Sequence, residues 1–404
     1  MVRLLNQECS ARSTRGPFSS QCHSGRSYNR AVMPRVSLVV AVLAGCGFSV
    51  PAGSPGGDAA PDDASDALPQ DGSRVDWWDA RWSHRRSIEL DNSKITGAIA
   101  NFPILIELTP ATVDYADVRP GGADLRFVAE DNASSYVFEI DSYVANGTST
   151  IWVRIPTLAP GGQRPRLWMY YGNPSATSAS NGTALWGSTY TSVHHLGSSL
   201  ADASGNAHVA APAGGDQTPA ITGGTISDAR LFDGNNNSLE LSGEGSYDFT
   251  TTMCATLWIR VDVFDEPFQA ILTKGDSSWR IQRDDVTNRV QFATTSNANP
   301  NSADGDSNVG NSQWHHIAAV MDGVRKIIYV DGVAEDDIAY TLSIDNNQRN
   351  VRIGDNQEQS NRMFQGAVDE VRITPSPRSP AWITAEHMTV TDAAFVTIGA
   401  DERY

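Results

Sequence analysis

The sequence predicts an all-β chain: two antiparallel β-sandwich domains in tandem, with one short helix near the C-terminus. Three observations predict it. Short apolar runs recur with turn residues between them, and no helix-period stretch competes over residues 76–187. The 34 Gly and 20 Pro among 404 residues suit many turns between short strands. The run Trp314–Val333 reads as a long hairpin at the centre of a sheet. In it Trp314, His316, Ala318 and Val320 alternate with His315, Ile317, Ala319 and Met321. Asp322-Gly323 supplies the positive-φ positions of a tight turn.

The chain begins with a polar segment and a short apolar run, Val36–Ala44, too short to span a bilayer. Its basic flank (Arg35), apolar core and small residues read as a secretory signal over residues 1–45. The preceding segment is unusually long and carries many Arg, so Met33 is expected to be the true start. Leu43-Ala44-Gly45-Cys46 resembles the bacterial lipobox, and that resemblance implies a lipid on Cys46. Residues 46–75 are rich in Gly, Ala, Pro and Asp, cannot build a core, and read as a disordered acidic tether. Of the four cysteines, Cys9, Cys22 and Cys46 lie in the first 46 residues, so no disulfide scaffold is expected. Cys254 reads as a small buried hydrophobe.

Residues 76–187 open with Trp77-Trp78 and Trp82. Strand-like runs follow at Arg85–Leu90, Phe102–Leu108, Leu125–Val128, Tyr136–Ile140, Thr150–Ile155 and Arg166–Tyr171, the pattern of a β-sandwich. Trp78, Trp82, Arg85-Arg86, Asp124–Phe127, Ile151–Pro156 and Tyr170–Pro174 resemble the bacterial domain of unknown function 2341. The resemblance implies a secreted β module and no established activity. Glu139-Ile140-Asp141 resembles the start of the carboxylate strand motif of laminarinase-type glycoside hydrolases. Ser142, Tyr143 and Val144 follow, so the second catalytic Glu is absent and Glu139 reads as an exposed-face carboxylate.

Residues 188–404 form the second region. Strand-like runs are expected at Tyr190–Leu196, Arg230–Gly234, Ser238–Leu241, Met253–Val261, Ala270–Thr273, Trp279–Gln282, Arg289–Ala293, Arg349–Gly354 and Phe364–Thr374, besides the hairpin. Asp202–Asn206, Phe232-Asp233-Gly234, Trp314–Ala318, Tyr329–Gly332 and Phe364–Ile373 resemble laminin-G-like domains of the concanavalin A-like lectin/glucanase superfamily. The resemblance implies a jelly roll that recognises glycans or proteins, often with calcium. It places Asp202, Asp233 and Asp369 where a calcium ion is often held. A turn-capping role for Asp369 competes with that reading. Arg378–His387 resembles the closing segment of the same domain, and Pro380 followed by good helix formers predicts the short helix.

The net charge of −17 argues against nucleic acid and anionic membrane surfaces as partners. His194-His195 and His315-His316 are neighbours in strands, so each pair points to opposite faces and does not chelate together. Trp258, Trp279 and Tyr247 are candidates for sugar stacking, with core packing the competing reading. The oxygen-rich stretch Asn299–Asn308 reads as a solvated loop. Gly-x-Ser-x-Gly, His-Glu-x-x-His, phosphate-loop and Cys-x-x-Cys motifs are missing. The expectation is a non-catalytic surface lipoprotein of the cell envelope or outer membrane, binding a glycan or an extracellular protein and touching the membrane only through its lipid. A purely secreted protein is the alternative in location. A polysaccharide hydrolase or lyase, or an envelope spacer, is the alternative in function.

Overall fold

A computed structural model describes residues 77–187, 189–294 and 301–404. The expected signal, lipobox, Cys46 and tether lie outside the described residues. The first sandwich contains β1 (His84–Leu90), β2 (Ile99–Leu108), β3 (Arg126–Ala129), β4 (Phe138–Ser142), β5 (Ser149–Leu158) and β6 (Arg166–Tyr171). A five-residue helix, α1 (Gly182–Trp186), leads out of it, its first turn capped by the Asn181 side chain on Ala184 N–H. The jelly roll follows. It is built from β7 (Ser192–His194), β8 (Ala210–Pro212), β9 (Ala220–Gly223), β10 (Asp228–Asp233), β11 (Leu239–Leu241), β12 (Thr252–Val263), β13 (Ala270–Thr273) and β14 (Trp279–Arg283). It continues with β15 (Val290–Thr294), β16 (Ser302–Asp304), β17 (Trp314–Asp322), β18 (Arg325–Val330), β19 (Val333–Ala339), β20 (Val351–Ile353) and β21 (Gln365–Thr374). Helix α2 (Pro380–Thr391) and strand β22 (Val396–Arg403) close the chain.

Each domain is a pair of antiparallel sheets. In the jelly roll a sheet ordered β19-β18-β17-β12-β21-β10-β9, with β7 also on β21, faces one ordered β16-β15-β14-β13-β20-β11-β8. Alternation decides the layers. Met253, Ala255, Leu257, Ile259 and Val261 of β12 fill the core between these sheets. Cys254, on the opposite face, joins the core of the first sandwich. The expected hairpin is β17–β18, paired from Ile317↔Val330 to Met321↔Lys326. His316 is 1% exposed and packs on Trp258 and His387. His315 turns the other way, to Asp331 Oδ2 at 2.8 Å. Ser302–Asp304 of the oxygen-rich stretch form a strand instead of a solvated loop, because they pair with Gln291–Ala293.

The boundary expected at residue 188 needs one correction. β22 belongs to the first sandwich, whose sheets run β22-β1-β6-β3 and β2-β5-β4. It covers the free edge of β1, from His84↔Arg403 to Leu90↔Val396. Arg85 Nε donates to Glu402 at 2.8 Å, and Tyr171 Oη donates to Asp401 at 2.6 Å. The described residues accordingly belong to one compact unit. Among the described residues no helix is long and apolar enough to cross a membrane.

The predicted helix is α2, capped by Ser379 Oγ on Trp382 N–H, with Pro380 opening its first turn. It is wedged between the sandwiches. Trp382 meets Phe102 of β2 edge-on, with ring centroids 5.1 Å apart. Glu386, 5% exposed, accepts from Thr256 of β12 at 2.9 Å, from Trp382 Nε1 at 3.2 Å and from Arg372 of β21 at 3.1 Å. Arg372 also donates to Glu370 at 2.7 Å, and its guanidinium carbon lies 4.2 Å from the Trp152 ring centre. A guanidinium keeps its charge at this depth, and the two carboxylates that face it offset the cost of removing that charge from water. Replacing it with Met leaves Glu370 and Glu386 without their shared counter-ion. We predict that Arg372→Met lowers unfolding free energy by about 3–5 kcal/mol, measured by chemical denaturation, and that adding Glu386→Gln restores part of the loss. A loss under about 1 kcal/mol contradicts the assigned role.

Candidate functional site

Strand β21 carries an irregularity. Its residues pair with β12 as Asp369↔Trp258 and Arg372↔Thr256, so Glu370 and Val371 together oppose Leu257. This is a β-bulge, and Glu370 takes the αL-like φ of 50° that it requires. The extra residue breaks the alternation. Val368, Val371 and Ile373 fill the jelly-roll core, leaving Asp369, Glu370 and Arg372 for the seam with the first sandwich. The neighbouring edge changes hands at the same point. β10 pairs with residues 365–368, and β7 pairs with residues 371–373. His194 stands opposite Val371, which brings the next residue, His195, beside Glu370.

The first sandwich meets this point with β4. Glu139 and Asp141 are two residues apart and share a face. A second bulge, between Ile140↔Ile151 and Ser142↔Thr150, leaves Asp141 as the extra residue. Its Oδ2 accepts from Thr150 Oγ1 at 3.2 Å. Glu139 accepts from the indole N–H of Trp186 on α1. A Cβ on Gly182 would sit 2.3 Å from Glu139 Oε1, so a larger residue there would displace that carboxylate.

His195 joins the two. Its Nδ1 lies 2.7 Å from Glu370 Oε1 and its Nε2 lies 3.1 Å from Glu139 Oε2. Burial opposes charge on the ring, but Glu370, Asp141 and Glu139 outweigh it and raise the imidazolium pKa well above the usual value. Burial likewise works against the Glu370 carboxylate, yet His195 and Arg372 bring it down to about 2. Asp141 is raised, chiefly by burial. His194, on the other side of the strand, is buried and its pKa falls to about 4 for that reason. Above these groups opens a cleft of about 410 Å³. Glu139–Tyr143 line it from the first sandwich; His195, the Gly197–Ala203 turn, Ser227 and Asp228 line it from the second.

The expected calcium residues stand apart. Asp202 organises its own turn, accepting from the backbone N–H groups of Val193, Ser204 and His208. Exposed Asp233 accepts from Asn235 and Asn236. Asp369 is fully buried; Oδ2 accepts from Thr225 and Ile226 N–H, both at 2.9 Å, and Oδ1 has no hydrogen-bond partner. The structure does not bring the three into one group. Among the described residues, the group with metal-ligand spacing is instead Asp141, His195 and Glu370. Trp258, Trp279 and Tyr247 are 4%, 0% and 0% exposed, which leaves none of them a face for a sugar. Tyr143 is the aromatic residue at the cleft. The overlooked signal was Asp369-Glu370 with Arg372 inside an otherwise apolar strand, a charged run that only a partnered interior tolerates.

Comparison with known proteins places both halves. Residues 121–191 match the family model of the domain of unknown function DUF2341. Residues 233–384 match that of the concanavalin A-like lectin/glucanases superfamily. No curated protein matches the chain. Among solved structures, domain 4 of a GH43 extracellular arabinanase from Geobacillus stearothermophilus, in complex with arabinotriose, is 18% identical. That match covers 48% of this chain and 97% of that one, with a TM-score of 0.40. The binding domain of Paraclostridial Mosquitocidal Protein 1 is 16% identical over 50% of this chain and 53% of its own, with a TM-score of 0.43. The binding domain of botulinum neurotoxin DC, in complex with SialylT, is 15% identical over 50% and 52%, with a TM-score of 0.38. The chain thus spans about half of each of these two toxin domains. It carries, in this order, a DUF2341 domain and a lectin-like jelly roll of the concanavalin A-like superfamily.

Proposed function

We propose that this chain is a non-catalytic binding protein of the cell envelope whose seam cleft takes a carbohydrate. One observation carries the reading: side chains of both sandwiches converge on a polar cleft of about 410 Å³, within the size range of small-ligand sites. Its lining is suited to sugar hydroxyls. Carboxylates and the hydroxyls of Ser142, Ser199 and Ser227 exchange hydrogen bonds, and Tyr143 offers an aromatic flank. Glu139, Asp141 and Asp228 make the cleft acidic, which favours neutral or amino sugars over uronic acids. Hydrolysis is the rival raised by Asp141 and Glu370, the first shifted up by burial and the second brought down by His195 and Arg372. Glu370, however, has a side chain only 1% exposed and is bound by His195 and Arg372, which keeps it from a substrate carbon. A bound calcium ion at Asp202, Asp233 or Asp369 is not needed by this reading.

Calorimetric titration with neutral, amino and uronic oligosaccharides tests it. The expected result is binding of a neutral or amino sugar, weakened at least about tenfold by Tyr143→Ala and by Asp228→Asn, one variant from each side of the cleft. Unchanged affinity in both variants, or release of reducing ends during incubation, contradicts the proposal.

The location is part of the same proposal, supported by the lipobox-like sequence before Cys46. Expressed in its bacterial setting, the chain is expected in the membrane fraction with an acylated Cys46, and Cys46→Ser shifts it to the soluble fraction. An unmodified, soluble wild-type chain contradicts the anchor.

A further inference from the structure

The hydrogen-bonded geometry around His195 resembles a metal site in which protons stand where the ion would be. One donor atom each from Asp141, His195 and Glu370 lie within 4.8 Å of one another. Ligands held about 2.0–2.2 Å from a common ion fall within that spacing. We propose that these three side chains bind a divalent transition-metal ion at the base of the seam cleft, with Glu139 as the residue that orients the imidazole.

Four features argue for it. The first is the division of labour on the imidazole. Nδ1 points at Glu370, 2.7 Å away, and Nε2 points at Glu139, 3.1 Å away. With an ion on Nδ1, the Nε2–H still donates to Glu139, the carboxylate–histidine–metal arrangement that fixes tautomer and ring plane. Glu139 is itself held by the Trp186 indole N–H. The second is the pair of bulges. Asp141 and Glu370 are each the extra residue of a β-bulge on facing strands, and Glu370 holds a positive φ uncommon for a non-glycine residue. The third is Asp369, next in chain to Glu370 and fully buried, whose Oδ1 lacks a hydrogen-bond donor. A buried oxygen without a partner in the protein is accounted for by a proton, a water or an ion, and an ion at the adjacent Glu370 is one such account. The fourth is access: Asp141 and His195 line the cleft, so water or a ligand can complete the coordination.

The donor set also selects the ion. An imidazole with two carboxylates suits Zn²⁺, Mn²⁺ or Fe²⁺, whereas calcium takes oxygen alone. The chain of ion pairs persists in either case; in the competing account the direct His195–Glu370 link never opens, Arg372 and His195 suffice to balance Glu370, and no metal enters. The site stands whether or not a sugar fills the cleft above it.

Equilibrium dialysis of chelator-treated protein against Zn²⁺, Mn²⁺ and Ca²⁺, with metal read by mass spectrometry, decides between them. The expected result is one equivalent of Zn²⁺ or Mn²⁺ in preference to Ca²⁺. Affinity falls at least tenfold in Asp141→Asn and in His195→Gln, falls less in Glu139→Gln, and is unchanged in Asp202→Asn and Asp233→Asn. Co²⁺ gives visible absorption bands that Zn²⁺ abolishes and that His195→Gln lacks. Circular dichroism confirms that the variants stay folded. Failure of Zn²⁺, Mn²⁺ and Co²⁺ to bind the wild-type chain, or binding that survives both Asp141→Asn and His195→Gln in folded protein, overturns the proposal.

Discussion

The structure depends on a chain of alternating charges buried where the two sandwiches meet. Glu139, His195, Glu370, Arg372 and Glu386 follow one another through contacts of 3.1, 2.7, 2.7 and 3.1 Å. Three of the four links join different parts of the fold, β4 to the residue after β7, that residue to β21, and β21 to α2, while Glu370 and Arg372 both stand on β21. Isolated ions at this depth would lose several kcal/mol of hydration apiece, so the chain holds only while every member is present. It is therefore a condition on the relative placement of the two sandwiches.

That constraint explains features that look separate. β21 bulges at Glu370 because an unbroken strand would send one of two consecutive carboxylates into the jelly-roll core. The β21 edge is shared between β10 and β7, so that the residue after β7 reaches Glu370. α2 carries Glu386 to the far end of the chain of charges and also fills the space beside β2 with Trp382. β22 then returns to β1 and ties the C-terminus into the first sheet. The cleft is what remains where β4 and the Gly197–Ala203 turn diverge above the charges.

Much of the architecture was legible in the sequence, because strand signals are local. The six runs expected between Arg85 and Tyr171 correspond to β1–β6, and the Trp314–Val333 hairpin lies where alternation and Asp322-Gly323 put it. Alternation also separated His315 from His316 correctly. What could not be read was long-range. β22 pairs with a strand 317 residues earlier, at Arg85–Glu402 and His84–Asp401, and nothing in its own residues names that partner. The site was hidden for a related reason. Glu139 and His195 are 56 residues apart, and His195 and Glu370 are 175 apart. Period-two reasoning also fails at a bulge: it would set Asp369 and Glu370 on opposite faces, and both belong to the seam. The lectin resemblance drew attention to Asp202, Asp233 and Asp369, which the fold uses largely to receive backbone N–H groups.

We propose that recognition takes place at the seam between the sandwiches and not at the outer loops of the jelly roll. Hydrogen–deuterium exchange of the folded chain, with and without a bound oligosaccharide, tests it most directly. Slowed exchange is expected in β4 and in the turn from Gly197 to Ala203, together with the segment around Ser227-Asp228. Protection confined to the hairpin turn at Asp322-Gly323 or to the loop after Asp233, with β4 and the Gly197–Ala203 turn unchanged, would contradict it.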